Sequence, residues 1–223
     1  MDPRYERNIP ALTEAECESL RRKRVLVVGC GGLGGHLIDQ LARIGIGALR
    51  VVDGDVFEPS NLNRQLLSEV ALLGTGKAKA AAAHVRRVNP DVAIEAVEEF
   101  MSEENVHALL EGCDVVLDGL DNIRSRKILA SACEKANIPY VFGAIGGWVA
   151  QAAVSMPGDR LIETLYPEDA VIKDKSVLGF TPALCASMQI SLCVKLLAGR
   201  TVETGTIFYF DLLNQEFEII PMV

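Results

Sequence analysis

The apolar positions of this chain change period several times, and each change marks an element. "LTEAECESLRRK" opens with Thr13 and carries Glu16 three residues on, a capping-box spacing that predicts a short helix. "RVLVVG" is an unbroken apolar run between charge and glycine, as in a buried strand. Leu37, Ile38, Leu41 and Ala42 then recur at helical spacing, on a helix from about Leu33 that Gly45 and Gly47 end. "ALRVVD" is a second strand, "EPSNLNRQLL" a loop passing into a short turn or helix, and "GKAKAAAAHVRRVNP" an alanine-rich helix closed by Asn-Pro. "VAIEAVEE" alternates as a strand, and "SEENVHALLEGC" reads as a helix capped by Ser102. "DVVLDGLDN" is a buried strand with a polar tip, followed by the helix "IRSRKILASACEKAN" and the strand "PYVFGAI".

Strands alternating with helices up to residue 145 predict a mainly parallel sheet covered on both faces. Beyond it the rhythm changes. "WVAQAAVSM" reads as a strand and "IETLYPEDAVIKDKSVLGFTP" as a long irregular crossing. "PALCASMQISLCVKLLAG" is a buried helix, and "TIFYFDLL" with "FEIIP" form a closing hairpin. The expected fold is α/β, a Rossmann-like doubly wound sheet with an antiparallel C-terminal part. A single domain over residues 1–223 is expected, divided into a helical arm (1–24), a nucleotide-binding part (25–145) and a C-terminal part (146–223).

Composition narrows the field. Thirty acidic residues against 22 basic ones give a formal charge of −8, which disfavours a nucleic-acid binder. The opening "MDPRYERNIP" has no apolar run of the signal-peptide kind, and Gln189 and Lys195 interrupt the most apolar late stretch, so no membrane association is expected. The six cysteines (17, 30, 113, 133, 185 and 193) form no C-x-x-C pair, which suggests reduced thiols in a cytoplasmic protein and no zinc. His36, His84 and His107 all fall within helix-like stretches and suit packing or surface roles.

The candidate chemistry begins at Gly29-Cys30-Gly31-Gly32-Leu33-Gly34, a G-x-G-x-x-G between a strand and a helix. Glycine allows the tight turn and lets phosphate oxygens reach backbone N–H groups at a helix N-terminus. Asp53 stands at the end of the next strand, where a carboxylate accepts ribose hydroxyls. These residues alone favour NAD. "DGDVFEPSNLNRQ" then sets Asp55, Asn61, Arg64 and Gln65 on one excursion, and Lys77 follows in "GTGK". Two cations suit a triphosphate with a leaving pyrophosphate; surface ion pairs are the competing reading. Asp121, with Asn122, ends the strand "DVVLDGLDN", at the edge where such sheets bind ligands. Asp121 either holds Mg²⁺ against phosphates or caps the following helix.

"RYERN", "VVGCGGLG", "VVDGDVFEPSNLNRQ", "GKAKA", "VNP", "LDGLDN" and "GAIGGWVAQ" occur in order over nearly the whole chain. So ordered, they resemble the MoeB/ThiF/HesA adenylyltransferases, prokaryotic relatives of the ubiquitin-activating enzymes. The resemblance implies ATP-dependent adenylation of the C-terminal glycine of a ubiquitin-like sulfur carrier (MoaD- or ThiS-like) ending in Gly-Gly, in molybdopterin, tungstopterin or thiamine sulfur transfer. By matching motif, Gly32 lies in the phosphate loop and Asp53 binds ribose. Asn61, Arg64 and Lys77 contact phosphates, Asp121 serves Mg²⁺, and Arg7 reaches a partner subunit's site, which implies a homodimer. Many relatives bind zinc through two C-x-x-C pairs, and several carry a cysteine in the crossover segment. This chain departs from both patterns, having no cysteine between Cys133 and Cys185, which puts a persulfide or thioester step in doubt. Adenylation of a small-molecule or peptide carboxylate, a non-catalytic scaffold for a ubiquitin-like partner, and an NAD dehydrogenase are the alternatives.

Overall fold

The computed structural model describes residues 2–168, 170 and 176–222. Its centre is β1 (Arg24–Val28), the apolar run of the second motif, with four consecutive residues buried. β2 (Ala48–Val52) and β4 (Val115–Asp118) flank it in parallel, with Val27 opposite Val51 on one side and Leu117 on the other. β3 (Ala93–Val97) extends the sheet beyond β2, and β5 (Tyr140–Gly146) extends it beyond β4. The remaining strands, β6 (Val149–Ser155), β7 (Thr206–Asp211) and β8 (Glu216–Pro221), add antiparallel. The order across the eight strands is β3-β2-β1-β4-β5-β6-β7-β8. The chain therefore runs outward from β1 to β3, then returns to begin again at β4. Between β1 and β4 the direction of winding reverses, and such a switch point opens a crevice at the strand C-termini.

Strand alternation divides the interior in two. Val25 and Val27 of β1 join the core formed with α1 (Glu14–Leu20), α2 (Gly32–Ile44), α3 (Lys77–Val88) and α7 (Phe180–Leu197). Leu26 and Val28 point the other way, into the core with α4 (Val106–Leu110), α5 (Ile123–Ala136) and α6 (Leu161–Leu165). Burial on both faces explains why β1 reads as a continuous apolar run instead of alternating.

Most expected elements are present. The Thr13–Glu16 capping box forms on both sides, and Gly45 ends α2 in the left-handed conformation, φ +87°. Three expectations need correction. Ser102 does not cap the fourth helix: Asn105 occupies the cap, its Oδ1 accepts the Ser102 N–H, and the helix shortens to Val106–Leu110. The crossing expected to be irregular contains α6, whose Leu161 and Ile162 are buried against the α5 face of the sheet. Its residues 169 and 171–175 lie outside the described residues. Finally α7 begins at Phe180, two residues early, because proline is tolerated in a first turn.

By length and composition α7 could cross a membrane. It packs instead on β5, β6 and α2, with Cys185, Ala186, Leu192 and Cys193 buried. Its Gln189 is fully buried; Nε2 donates to the Asp118 and Val141 carbonyls at 2.9 and 3.2 Å and so ties β4 to β5.

Asn89 is a central anchor of the N-terminal arm. Pro3–Asn8 forms a 3-10 turn whose Tyr5 ring lies over Gly45, where a Cβ would come within 2.5 Å of it. Fully buried Asn89, at the end of α3, donates from Nδ2 to Tyr5 Oη and to the Ala42 carbonyl, both at 2.7 Å. Its Oδ1 accepts from Arg4 Nη1 at 2.6 Å. Asn89→Ala strips these partners without removing an apolar contact, so we expect a loss of about 1–3 kcal/mol in urea unfolding, with nucleotide binding in the distant cleft unchanged.

Candidate active site

The crevice at the switch point is a cleft of about 520 Å³ along the C-terminal ends of β2, β1, β4 and β5 and the N-terminal end of the antiparallel β6. Its narrowest backbone approach explains the glycines. A Cβ on Gly29, which has φ +92°, would lie 2.5 Å from the Gly119 carbonyl oxygen; one on Gly34 would lie 1.7 Å from the Gly29 oxygen. Gly29 and Gly34 are thus required by packing at the β1–α2 turn. Gly31 and Gly32 line the cleft, with nothing nearer than 3.4 Å to a Cβ built on either. The four glycines divide into two that build the turn and two that leave it open.

Asp53 closes the turn from the side. Its Oδ2 accepts the Cys30 N–H at 2.7 Å and its Oδ1 the Asp55 N–H at 2.8 Å. Burial raises its pKa, while these N–H groups and Lys77 pull it down. Each oxygen keeps a lone pair for a hydroxyl in the cleft, which Asp53 lines. The excursion from β2 returns upon itself. Val56 bridges Gly76, Phe57 N donates to Thr75 O, and Lys77 N donates to Asp55 O. This zipper sets Lys77, first residue of α3, beside Asp55, with Nζ 3.1 Å from Oδ2.

The expected site residues separate clearly. Gly29, Gly31, Gly32, Asp53, Asp55, Arg64, Gln65, Lys77, Asp121 and Asn122 all line the cleft. Gly34 stands behind it. Asn61 does not line it; buried, it accepts the Glu58 N–H at 3.0 Å and shapes the turn that presents Arg64. Arg7 is exposed on the N-terminal arm, outside the cleft of its own chain. Arg64 bonds only to uncharged oxygens, Ser60 O at 2.8 Å and Asn63 Oδ1 at 3.0 Å. Among the described residues no carboxylate pairs with it, so its charge is available to the cleft. Asn122 caps α5 through the Ser125 N–H at 2.9 Å, which frees Asp121 of that task. Among the described residues the exposed Asp121 carboxylate receives only the Asn122 amide, at 3.3 Å.

Sequence reasoning missed the floor of the cleft. Asp118, fully buried at the end of β4, accepts from Tyr140 Oη at 2.5 Å and from the Leu120 N–H at 2.8 Å. Arg126 lies beside it, Nε 3.3 Å from Oδ2, an ion pair without hydrogen-bond alignment. Its other nitrogens donate to Leu120 O, Gly143 O and Tyr166 Oη at 2.6, 2.9 and 2.8 Å. Burial would lower the Arg126 pKa, but Asp118 and the two tyrosines outweigh it and hold the guanidinium charged. Phe100 and Met101, just beyond β3, were missed as well; they wall the cleft beside Asp53 and Gly54. The available signal was positional, since Asp118 ends an apolar strand and Arg126 lies one helical turn beyond the Asn122 cap.

The site fits a nucleoside triphosphate on its own evidence. Gln65 is buried, lies against Gly31, and its Oε1 has no hydrogen-bond partner. An orphaned acceptor beside an open glycine turn marks a place completed by a ligand. Asp121 also fits Mg²⁺, which takes one or two protein carboxylates and completes its shell with water and phosphate.

A doubly wound sheet with a glycine turn and two acids, Asp53 and Asp121, at its switch point is the architecture of a nucleotide-binding α/β protein. The chain belongs to the ThiF family, whose model matches residues 5–222. It is 39% identical over 98% of its length to the SAMP-activating enzyme E1 of Haloferax volcanii, covering 84% of that protein. It is 33% identical over 92% of its length to the molybdopterin-synthase adenylyltransferase of Escherichia coli, covering 86% of that protein. Against several longer relatives it spans 60% or less of their length. The crystal structure of E. coli MccB with ATP superposes at a TM-score of 0.86, over the whole chain and 71% of MccB, at 19% identity, a likeness of fold.

Gln65 supplies the check on the ligand-completed site. Gln65→Met keeps the volume and removes the orphan. Chemical denaturation without nucleotide is expected to show stability unchanged or raised, by at most about 3 kcal/mol, while affinity for a non-hydrolysable ATP analogue falls.

Proposed function

We propose that this chain is a single ThiF-type adenylation domain that uses ATP and Mg²⁺ to activate the C-terminal carboxylate of a ubiquitin-like sulfur-carrier protein ending in Gly-Gly. The observation that carries it is the convergence of Arg64, free of any carboxylate partner, with Lys77, Asp121 and the open glycine turn on one cleft. The names of the H. volcanii and E. coli relatives agree with this chemistry.

The reaction asks little acid–base work of the protein. A chain-terminal carboxyl has a pKa of roughly 3.3–3.7, so it is an anion at neutral pH and needs no general base. One carboxylate oxygen attacks the ATP α-phosphorus, the bond to the bridging oxygen breaks, and pyrophosphate leaves with that electron pair. Arg64 and Lys77 neutralise the departing charge, and Asp53 fixes the sugar. Bound at Asp121, Mg²⁺ would supply further charge neutralisation at the phosphates. The lining holds neither histidine nor cysteine among the described residues, which argues against hydride transfer assisted by a histidine.

A covalent cysteine step lacks a suitable thiol. All six cysteines are buried, and burial raises every one, Cys133, Cys185 and Cys193 to about 12. The reading accordingly ends at the acyl adenylate. Six unpaired thiols are also compatible with a cytoplasmic setting.

Carrier-dependent exchange of pyrophosphate into ATP tests the proposal. Arg64→Ala, Lys77→Ala and Asp121→Ala are each expected to lower it by about 10²-fold or more, with Cys30→Ala and Cys185→Ala within about twofold of the unaltered chain. Exchange driven equally well by small carboxylates without a carrier would move the acceptor to that class.

Arg7 gives an independent test of the homodimer. Because it lies outside its own cleft, it acts on a second copy if it acts at all. Arg7→Ala and Lys77→Ala chains, each inactive alone, are expected to regain activity when mixed, since one site then has both residues intact. No recovery in mixed, verified dimers removes Arg7 from that role.

A further inference from the structure

Sheet order separates the cleft into a nucleotide side and another side. Asp53 follows β2, the glycine turn follows β1, and Asp121 follows β4. The next strands, β5 and β6, contribute Ala144, Ile145, Gly146, Val149 and Gln151 to the same cleft, none of them charged. Sugar acid, phosphate turn and metal-side acid thus succeed one another across β2, β1 and β4. The uncharged stretch over β5 and β6 leaves room in the same cleft for a group other than the nucleotide.

Tyr166 stands on that side, just beyond α6, and lines the cleft. Its Oη accepts a hydrogen bond from Arg126 Nη1 at 2.8 Å. A guanidinium has no acceptor, so the phenol's own proton points elsewhere. Among the described residues nothing receives it. The geometry is fixed from behind, because Arg126 is clamped by Leu120 O, Gly143 O and Asp118, and the Tyr166 ring meets Phe142 edge-on at 6.2 Å between centroids. Burial holds the hydroxyl in its neutral, proton-bearing form at neutral pH. The buried guanidinium behind the phenol favours an anion as the acceptor of that proton.

We propose that Tyr166 is a recognition residue for the incoming chain end, its hydroxyl donating a hydrogen bond to the carboxylate that attacks the nucleotide, with Arg126 as the positioning residue that aims it. This rests on the adenylation reading and adds to it a carboxylate subsite over β5 and β6. Arg126 acts through Tyr166 and through the Leu120 carbonyl, next to Asp121 in the chain.

The test uses Tyr166→Phe in the full chain, which keeps the ring and its contact with Phe142. The probe is a purified ubiquitin-like carrier ending in Gly-Gly, in its natural form and with a C-terminal carboxamide, bound in the presence of a non-hydrolysable ATP analogue. The unaltered chain is expected to prefer the carboxylate form, and Tyr166→Phe to reduce that preference roughly 3- to 10-fold, the worth of one net hydrogen bond. Affinity for the ATP analogue stays unchanged, while the loss of the Arg126 Nη1 acceptor lowers the melting temperature by a few degrees at most. In pyrophosphate exchange the same variant raises the carrier KM and leaves the ATP KM alone. An equal loss of affinity for both carrier forms, or an unaltered preference, overturns the inference. If the unaltered chain shows no carrier-dependent exchange, the adenylation reading fails first, and the subsite goes with it.

Discussion

The active cleft depends on two strands ending within van der Waals reach of each other. Gly29 after β1 and Gly119 after β4 meet backbone to backbone, and Gly34 in the first turn of α2 closes on the Gly29 carbonyl. Any side chain at these positions separates β1 from β4 or lifts α2 off the sheet. The approach brings the phosphate turn and the Asp121 loop to opposite sides of one crevice, at the point where the winding of the sheet reverses. Everything else in the site is placed relative to that contact.

Two further devices hold what the glycines bring together. Asp53 ties the phosphate turn to the end of β2 through two backbone N–H groups. Asp118 and Arg126 tie β4, β5 and the β4–α5 loop, and Gln189 reaches up from α7 to the same two strands. A buried ion pair is a poor source of net stability, because desolvation offsets most of the attraction. Its worth here is directional. Three hydrogen bonds and one ion pair of one planar group tie β4, the β4–α5 loop, β5 and Tyr166, an arrangement that apolar packing of equal volume does not specify.

The sequence disclosed these elements unevenly, for physical reasons. Local patterns came through: the Thr13–Glu16 box, the left-handed Gly45 cap and the run of β1 are each decided by neighbours within one or two turns. That Arg64, Gln65, Lys77, Asp121 and the glycine turn share one cleft was legible because their motifs follow the ends of successive strands. Asn61 was legible as polar and near the site, but its task of accepting the Glu58 N–H depends on how the excursion folds back. The fourth helix was overextended because residues 103–105 form a turn, in which Ser102 Oγ accepts the Glu104 N–H and Asn105 Oδ1 the Ser102 N–H, and the helix begins only at Val106. Arg126 and Asp118 were least accessible. A charged residue on a helix face usually meets water, and only the packing of α5 over β4 and β5 shows that this one does not.

The unliganded cleft retains features that a structure selected for stability alone would remove. Gln65 keeps an acceptor without a partner, and Arg64 keeps a charge that no carboxylate balances. The buried Gln65 acceptor is costly where it stands, and in the proposed reaction a polyphosphate and its sugar would meet both groups. In that proposed reaction such groups need no reorganisation when negative charge moves toward the leaving phosphates. Lys77 differs, being held near 3.1 Å from Asp55. In the proposed reaction a bound triphosphate competes with that carboxylate for the ammonium, and Asp55, more than half exposed, yields it at small cost. The two cations therefore contribute differently: Arg64 is already available to the cleft, while Lys77 is held in place until a stronger anion arrives.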